Sequence, residues 1–166
     1  CMYSIKQAQL LMGALPMADV TIYYINIRSF GKGFEEFYQQ AKGMGVNFVK
    51  GKVGKISELE NGNLILRYED ISEGVVKEAE HDMVVLSVGA KSNPSVANIF
   101  QEGRLKFDPY NFIAQSDLMG SPSKTSIEGV FVAGTATGPM DIPDSILSAG
   151  SASSDAISYL IQHETV

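Results

Sequence analysis

The chain has 166 residues, 45% hydrophobic and 19% charged, with a formal net charge of −6. That gives apolar material for one ordinary domain or parts of two, too little charge for a disordered chain, and no basic excess for a nucleic-acid partner. The longest apolar runs, Met83–Val88 and Gly129–Ala133, fall well short of the ~20 residues a membrane helix needs, so no membrane insertion is expected. No secretory signal is visible. A single cysteine, Cys1, allows no internal disulfide, which fits a reducing, cytoplasmic setting. The chain opens Cys1-Met2 and is read as a piece of something longer.

In chain order, Ile5, Ala8, Leu11, Met12 and Leu15 recur at helical spacing, predicting a helix from Met2 to Leu15 that Pro16 ends. Val20 to Ile27 is β-branched and aromatic and reads as a buried strand. Gly31 and Gly33 mark a turn. A second helix is predicted from Phe34 to Met44, capped by Gly45, and then a short strand over Val46–Val49. Helix, strand, helix, strand favours a parallel sheet. The middle changes character. Lys52–Glu60, Asn63–Asp70 and Val75–Glu80 predict a three-stranded antiparallel meander, with Asn61-Gly62 as the hairpin signal and Glu73-Gly74 as the next turn. Met83–Val88 follows as a continuous apolar strand of the kind buried on both faces. Residues 90–124 are irregular, with turn signals at Asn93-Pro94, Asp108-Pro109 and Ser121-Pro122. Gly129–Ala133 is predicted to be another buried strand, and a long helix runs from Pro143 to His163.

The sharpest feature is the segment from Gly129 to Asp144, "GVFVAGTATGPMDIPD". A buried strand ends in glycine, the chain turns tightly, and a helix begins. Unpaired N–H groups and a partial positive charge at the start of that helix suit an anion or an electron-rich ring, at the carboxyl end of a strand where α/β sheets bind ligands. An ordinary strand-to-helix connection has the same shape. Small residues on the last helix (Ala149, Gly150, Ala152, Ser153 and Ala156) allow close approach to a sheet or a cofactor, or simple close packing.

The order of these parts resembles the second half of the two-dinucleotide-binding-domain flavoproteins, such as thioredoxin reductase. Within them "CMYSIKQAQLL", "VTIYYINIRSFGKGFEEFY", "GNLILRYED", "HDMVVLSVG" and "GVFVAGTATGPMDIPDSI" resemble the A-type subunit of heterodisulfide reductase, over nearly the whole chain. The resemblance implies a C-terminal fragment with an α/β, partial Rossmann-like fold. Residues 1–88 would be the remaining part of an inserted nicotinamide-type domain, and 89–166 the C-terminal part of the FAD-binding domain. It also implies a soluble FAD and iron–sulfur protein that passes electrons to a disulfide-reducing partner, working with other heterodisulfide reductase-type subunits or electron donors. Flavin neighbours would be Gly134, Thr135, Ala136, Thr137, Gly138, Met140, Asp141 and Ile142, with N–H groups near Asp141 and Ile142 facing the pyrimidine edge. No catalytic residue is assigned.

Several family parts are missing from these residues. There is no Gly-x-Gly-x-x-Gly fingerprint; Gly31-Lys-Gly33 lacks the third glycine, so neither NAD(P) nor FAD is expected to stay bound to the 166 residues alone. There is no ferredoxin-type run of cysteines. Cys1 matches the end of a family cysteine cluster and would be an iron–sulfur ligand only in a longer protein. Met140 stands where the family commonly carries lysine. His81 and His163 lack metal-ligand spacing and read as surface residues. Arg28 follows the Val20–Ile27 strand, at a place where a nicotinamide domain reads ribose; a solvated arginine fits as well. Two other readings remain: a pyridine-nucleotide disulfide oxidoreductase, which needs a dithiol, and a non-catalytic docking or scaffold module. The edge of the Gly129–Ala133 strand is expected to be covered by the rest of the chain or by a second copy, as a homodimer.

Overall fold

The computed structural model describes residues 1–101 and 103–163. The chain divides into two compact units, Cys1–Ser87 and Val88–Val166.

In the first unit, α1 (Met2–Ala14) buries Ile5 and Ala8. It stops just short of Pro16, whose ring disfavours helical backbone in the residue it follows; Leu15 leaves the helix at φ −129° while its N–H still reaches the Leu11 carbonyl. After β1 (Thr21–Tyr24), α2 spans Phe34–Gly43, with Glu35 and Glu36 in its first turn and Lys42 in its last, each at the end of the helix dipole that favours it. It closes as a Schellman motif. Gly45, at φ +96°, donates to the Lys42 carbonyl and Val46 to that of Ala41. Ile5, Ala8, Tyr38, Ala41 and Val46 form the core where α1, α2 and the sheet meet, and the Tyr38 ring stands edge-on to Phe48 at 4.8 Å.

The sheet has the order β1-β2-β3-β4. β2 (Asn47–Glu58) is one strand where the sequence predicts two, over Val46–Val49 and Lys52–Glu60. Its first residues pair parallel with β1, Thr21 opposite Asn47, and from Gly51 onward it pairs antiparallel with β3 (Leu64–Asp70). At that changeover a side chain on Gly51 would put its Cβ 2.8 Å from the Glu69 carbonyl oxygen, so the approach needs glycine. A bulge between Val53 and Lys55 accommodates Gly54. β3 pairs antiparallel with β4 (Val75–His81), Leu64 opposite His81. Gly62 takes φ +84° in the first turn, where the Asn61 side chain accepts the Asn63 N–H. In the second, the Asp70 carboxylate accepts the N–H groups of Ser72 and Glu73 and pairs with Lys77 at 2.9 Å.

Met83–Val88 is not the buried strand predicted. Among the described residues nothing pairs with it, and Met83, Val85, Leu86 and Val88 are 67–82% exposed. A strand apolar on both faces needs a ladder neighbour and cover on each side; β4 already has β3 as its partner, and this segment has only a hydroxyl contact between Ser87 and Ser4.

The second unit is irregular up to its helix. A 3₁₀ turn spans Pro94–Asn98, capped by the Asn93 side chain. Single bridges join Phe107 with Ile113, Asp117 with Ser121 and Lys124 with Phe131. Gly129–Ala133 therefore carries one bridge instead of a strand; Val132 alone among these five is buried, and its N–H donates to the Ser123 carbonyl. A 3₁₀ turn (Gly134–Ala136) leads to α3, Ile142–His163. Ser123 reaches the Asp155 carboxylate, and the Tyr159 ring meets Phe131 at 6.0 Å. Of the small residues on α3, Ala152 and Ala156 are half-buried while Ala149, Gly150 and Ser153 are exposed, as are Ile146, Leu147, Ile157, Leu160 and Ile161. Among the described residues no helix is long and apolar enough to cross a membrane.

Candidate functional site

The residues from Gly134 to Ile142 form a tight loop between the Phe131 bridge and α3. Gly134 sits at φ +62° and donates its N–H to the Ser148 hydroxyl at 3.0 Å. Its carbonyl accepts both the N–H and the hydroxyl of Thr137, and the Ala136 carbonyl accepts the Ile113 N–H. The first half of the loop is thus spent on internal bonds, with Thr135 and Ala136 turned to solvent. Gly138 takes φ +158°, and a Cβ there would meet nothing within 4 Å. Asp141 caps α3: its carboxylate accepts the Asp144 N–H at 2.9 Å and its carbonyl the Ser145 N–H at 3.0 Å. No hydrogen bond among the described residues uses the N–H of Met140, Asp141 or Ile142.

Gly138 and Pro139 border an open cleft of about 930 Å³. Its other walls come from the 90–97 stretch and from 107–112, which carry no element signal in the sequence. Phe107, Tyr110 and Phe112 give it an aromatic side, and Lys91 and Asp108 are its charged residues. The Ser92 hydroxyl donates to the Tyr110 carbonyl at 3.4 Å, tying one wall to the other. Asp108 is committed to backbone, accepting the N–H groups of Tyr110 and Phe112 at 2.8 Å. Asn111, the only non-glycine at positive φ among the described residues, makes the turn between them. The clustering of Phe107, Tyr110 and Phe112 about Asp108-Pro109 is the sequence signal that could have found this wall. Of the eight residues expected to touch a ring, Gly138 alone lines the cleft; Met140, Asp141 and Ile142 follow it toward α3, and Gly134 to Thr137 serve the turn.

The remaining candidates lie elsewhere. Cys1 is exposed, its sulfur 3.7 Å from the Asn26 carbonyl oxygen, and among the described residues no three His, Cys, Asp or Glu side chains gather to hold a metal. Arg28 is exposed. His163 is exposed, stacked on Tyr159 at 4.0 Å and 3.5 Å from Glu128. His81 is not the plain surface residue expected. It is half-buried, and its Nε2 bonds the Tyr23 hydroxyl at 2.9 Å. Burial, the first cause, and the neighbouring Tyr68 and Asp19 raise the Tyr23 pKa.

The N–H groups of Met140, Asp141 and Ile142 without hydrogen bonds, the open space at Gly138 and the aromatic side of the cleft match in chemistry a planar ring that accepts hydrogen bonds at its edge.

Residues 12–153 match the pyridine nucleotide-disulphide oxidoreductase family, and the chain belongs to it. The fold is similar to Lactococcus lactis thioredoxin reductase, with a TM-score of 0.69 at 18% identity over 95% of this chain and 50% of that one. It is also similar to T. acidophilum thioredoxin reductase, with a TM-score of 0.59 at 20% identity over 87% and 45%. The architecture is α/β, of the two-dinucleotide-binding flavoprotein kind that the sequence resemblance implied. Nearer in sequence are the iron–sulfur subunits of heterodisulfide reductases. The chain is 39% identical over 166 residues to a CoB–CoM heterodisulfide reductase iron–sulfur subunit of Methanopyrus kandleri, covering 99% of this chain and 25% of that one. It is 40% identical over 156 residues to the corresponding iron–sulfur subunit of Methanocaldococcus jannaschii, covering 93% and 24%. The chain thus spans about a quarter of the length of these curated relatives.

Proposed function

We propose that the 166 residues are part of a protein like the A-type subunit of heterodisulfide reductase, an FAD-dependent electron-transfer oxidoreductase of the cytoplasm. The observation that carries this reading is the 39% identity along the whole chain to such a protein, joined to a loop and cleft that suit a flavin. Residues 1–88 are the remaining part of a nicotinamide-type domain and 89–166 the returning part of the FAD domain. The flavin, when bound, supplies the redox chemistry. This chain's own residues orient and electrostatically tune it: Gly138 leaves room for the ring, the N–H groups of Asp141 and Ile142 face its pyrimidine edge, and Gly134 to Thr137 hold the turn. Electrons leave through iron–sulfur clusters, Cys1 ligating one of them in the longer protein, to a disulfide-reducing partner.

An absorbance spectrum of the longest native polypeptide that carries this chain tests the reading. Flavin bands with a broad iron–sulfur shoulder are expected. Flavin without the shoulder, together with a reactive dithiol, would point to a conventional pyridine-nucleotide disulfide oxidoreductase. A colourless protein would leave a scaffold.

A further inference from the structure

We infer that Lys91 is the residue that sets the charge of the cleft and contacts the electron-rich edge of the ring bound there; the inference rests on the flavin reading above. The cleft's two charged side chains are not equivalent. Asp108 is half-buried and its carboxylate is already held by two backbone N–H groups at 2.8 Å, so it is fixed in the wall as a turn-former. Lys91 has no ion pair or hydrogen bond among the described residues. Its neighbour Ser92 is bonded across the cleft to Tyr110, which keeps the Lys91 backbone at the wall while four side-chain torsions let the ammonium reach inward. Lys91 is exposed at the open cleft, and a ring seated against the aromatic side would displace water there, so that the single cation would act on it more strongly than in bulk water. Position 140, on the loop that borders the same cleft, is methionine and offers no charge. Among the described residues Lys91 is therefore the one cation of this cleft able to favour the added negative charge of a reduced ring.

The test uses the longest native polypeptide carrying this chain, loaded with FAD, and reads the flavin midpoint potential. Lys91→Met is expected to lower the preference for reduced over oxidised flavin about tenfold, close to 30 mV for a two-electron couple. Lys91→Arg is expected to restore it, and Lys91→Gln to behave as Lys91→Met. Lys32→Met, an exposed lysine of the other unit, serves as the control. An unchanged potential in Lys91→Met with flavin still bound would overturn the assignment to Lys91 and leave the flavin reading standing. A fall that Lys91→Arg does not restore would mark a steric effect and overturn it too. A wild-type polypeptide that takes up no FAD would overturn the flavin reading itself, and this inference with it.

Discussion

Two side chains make contrasting predictions at the residue scale. Met140 lies two residues past Gly138, on the side of the loop whose N–H groups are unspent. If the proposed flavin binds here, Met140→Lys is expected to raise its midpoint potential in the longest native polypeptide carrying this chain, because a cation favours the reduced ring; potentiometry showing no change would mean that position 140 points away from it. Asp70 concerns stability. Its hydrogen bond from Lys77, the largest cause, and those from the Glu73 and Ser72 N–H groups hold its pKa below the ordinary value. A carboxylate depressed in the folded state contributes stability that is full above its unfolded pKa of about 3.9 and is lost as pH falls through the lower folded value. Asp70→Asn should then lose less stability than wild type on acidification below about pH 4, measured by urea unfolding at each pH. The histidines show what a sequence leaves out at this scale. Nothing local to His81 reveals that Tyr23, 58 residues earlier, is its partner, because strand register brings the two together.

Local elements with their own stop signals were legible. Pro16 ends α1 and Gly45 supplies the positive φ after α2, so both helices run within a residue or so of where composition puts them. The predicted start of α3 at Pro143 differs by one residue from the observed Ile142. The two apolar runs mislead because a buried strand is defined by neighbours, which composition does not contain. Met83–Val88 and Gly129–Ala133 have the right residues and, among the described ones, no ladder. β2 reads as two strands because Gly51 resembles punctuation; the structure uses it for close approach, and Gly54, further along, for a bulge. Gly51→Ala is accordingly expected to destabilise the sheet by about 1–3 kcal/mol, since its Cβ would sit 2.8 Å from a backbone oxygen that cannot rotate away. Gly62→Ala is a poor control because of its φ, so Gly13→Ala, where a Cβ meets nothing, sets the baseline in the same denaturation experiment.

At the scale of the molecule, the candidate site was half legible. Its loop stands out as a strand-turn-helix transition with a family likeness. Its aromatic wall, drawn from 107–112, does not, because it is tied to the loop through the Ile113 N–H bonded to the Ala136 carbonyl, between residues well separated in the chain. The 166 residues hold that one wall and lack a glycine fingerprint for a pyrophosphate. Charge-assisted bonds are worth ~1.5–3 kcal/mol each, so three such losses take a nanomolar affinity to between roughly micromolar and millimolar. The isolated chain is therefore expected to hold no FAD after dialysis; yellow protein at equimolar FAD would show that the remaining wall suffices.

The bond between the Gly134 N–H and the Ser148 hydroxyl has a consequence for how such a ring would be received. It closes the chain on itself at 3.0 Å, so residues 135–147 form a cyclic path rather than an open tether. Asp141 fixes the last arc of that path to the helix start, and the Ser123–Asp155 and Phe131–Tyr159 contacts keep the helix from turning away. A loop constrained at both ends has already given up most of its conformational freedom before any ligand arrives. Little of the attraction for an incoming ring is then consumed in ordering the backbone, and binding strength is decided by the few groups at the ring edge.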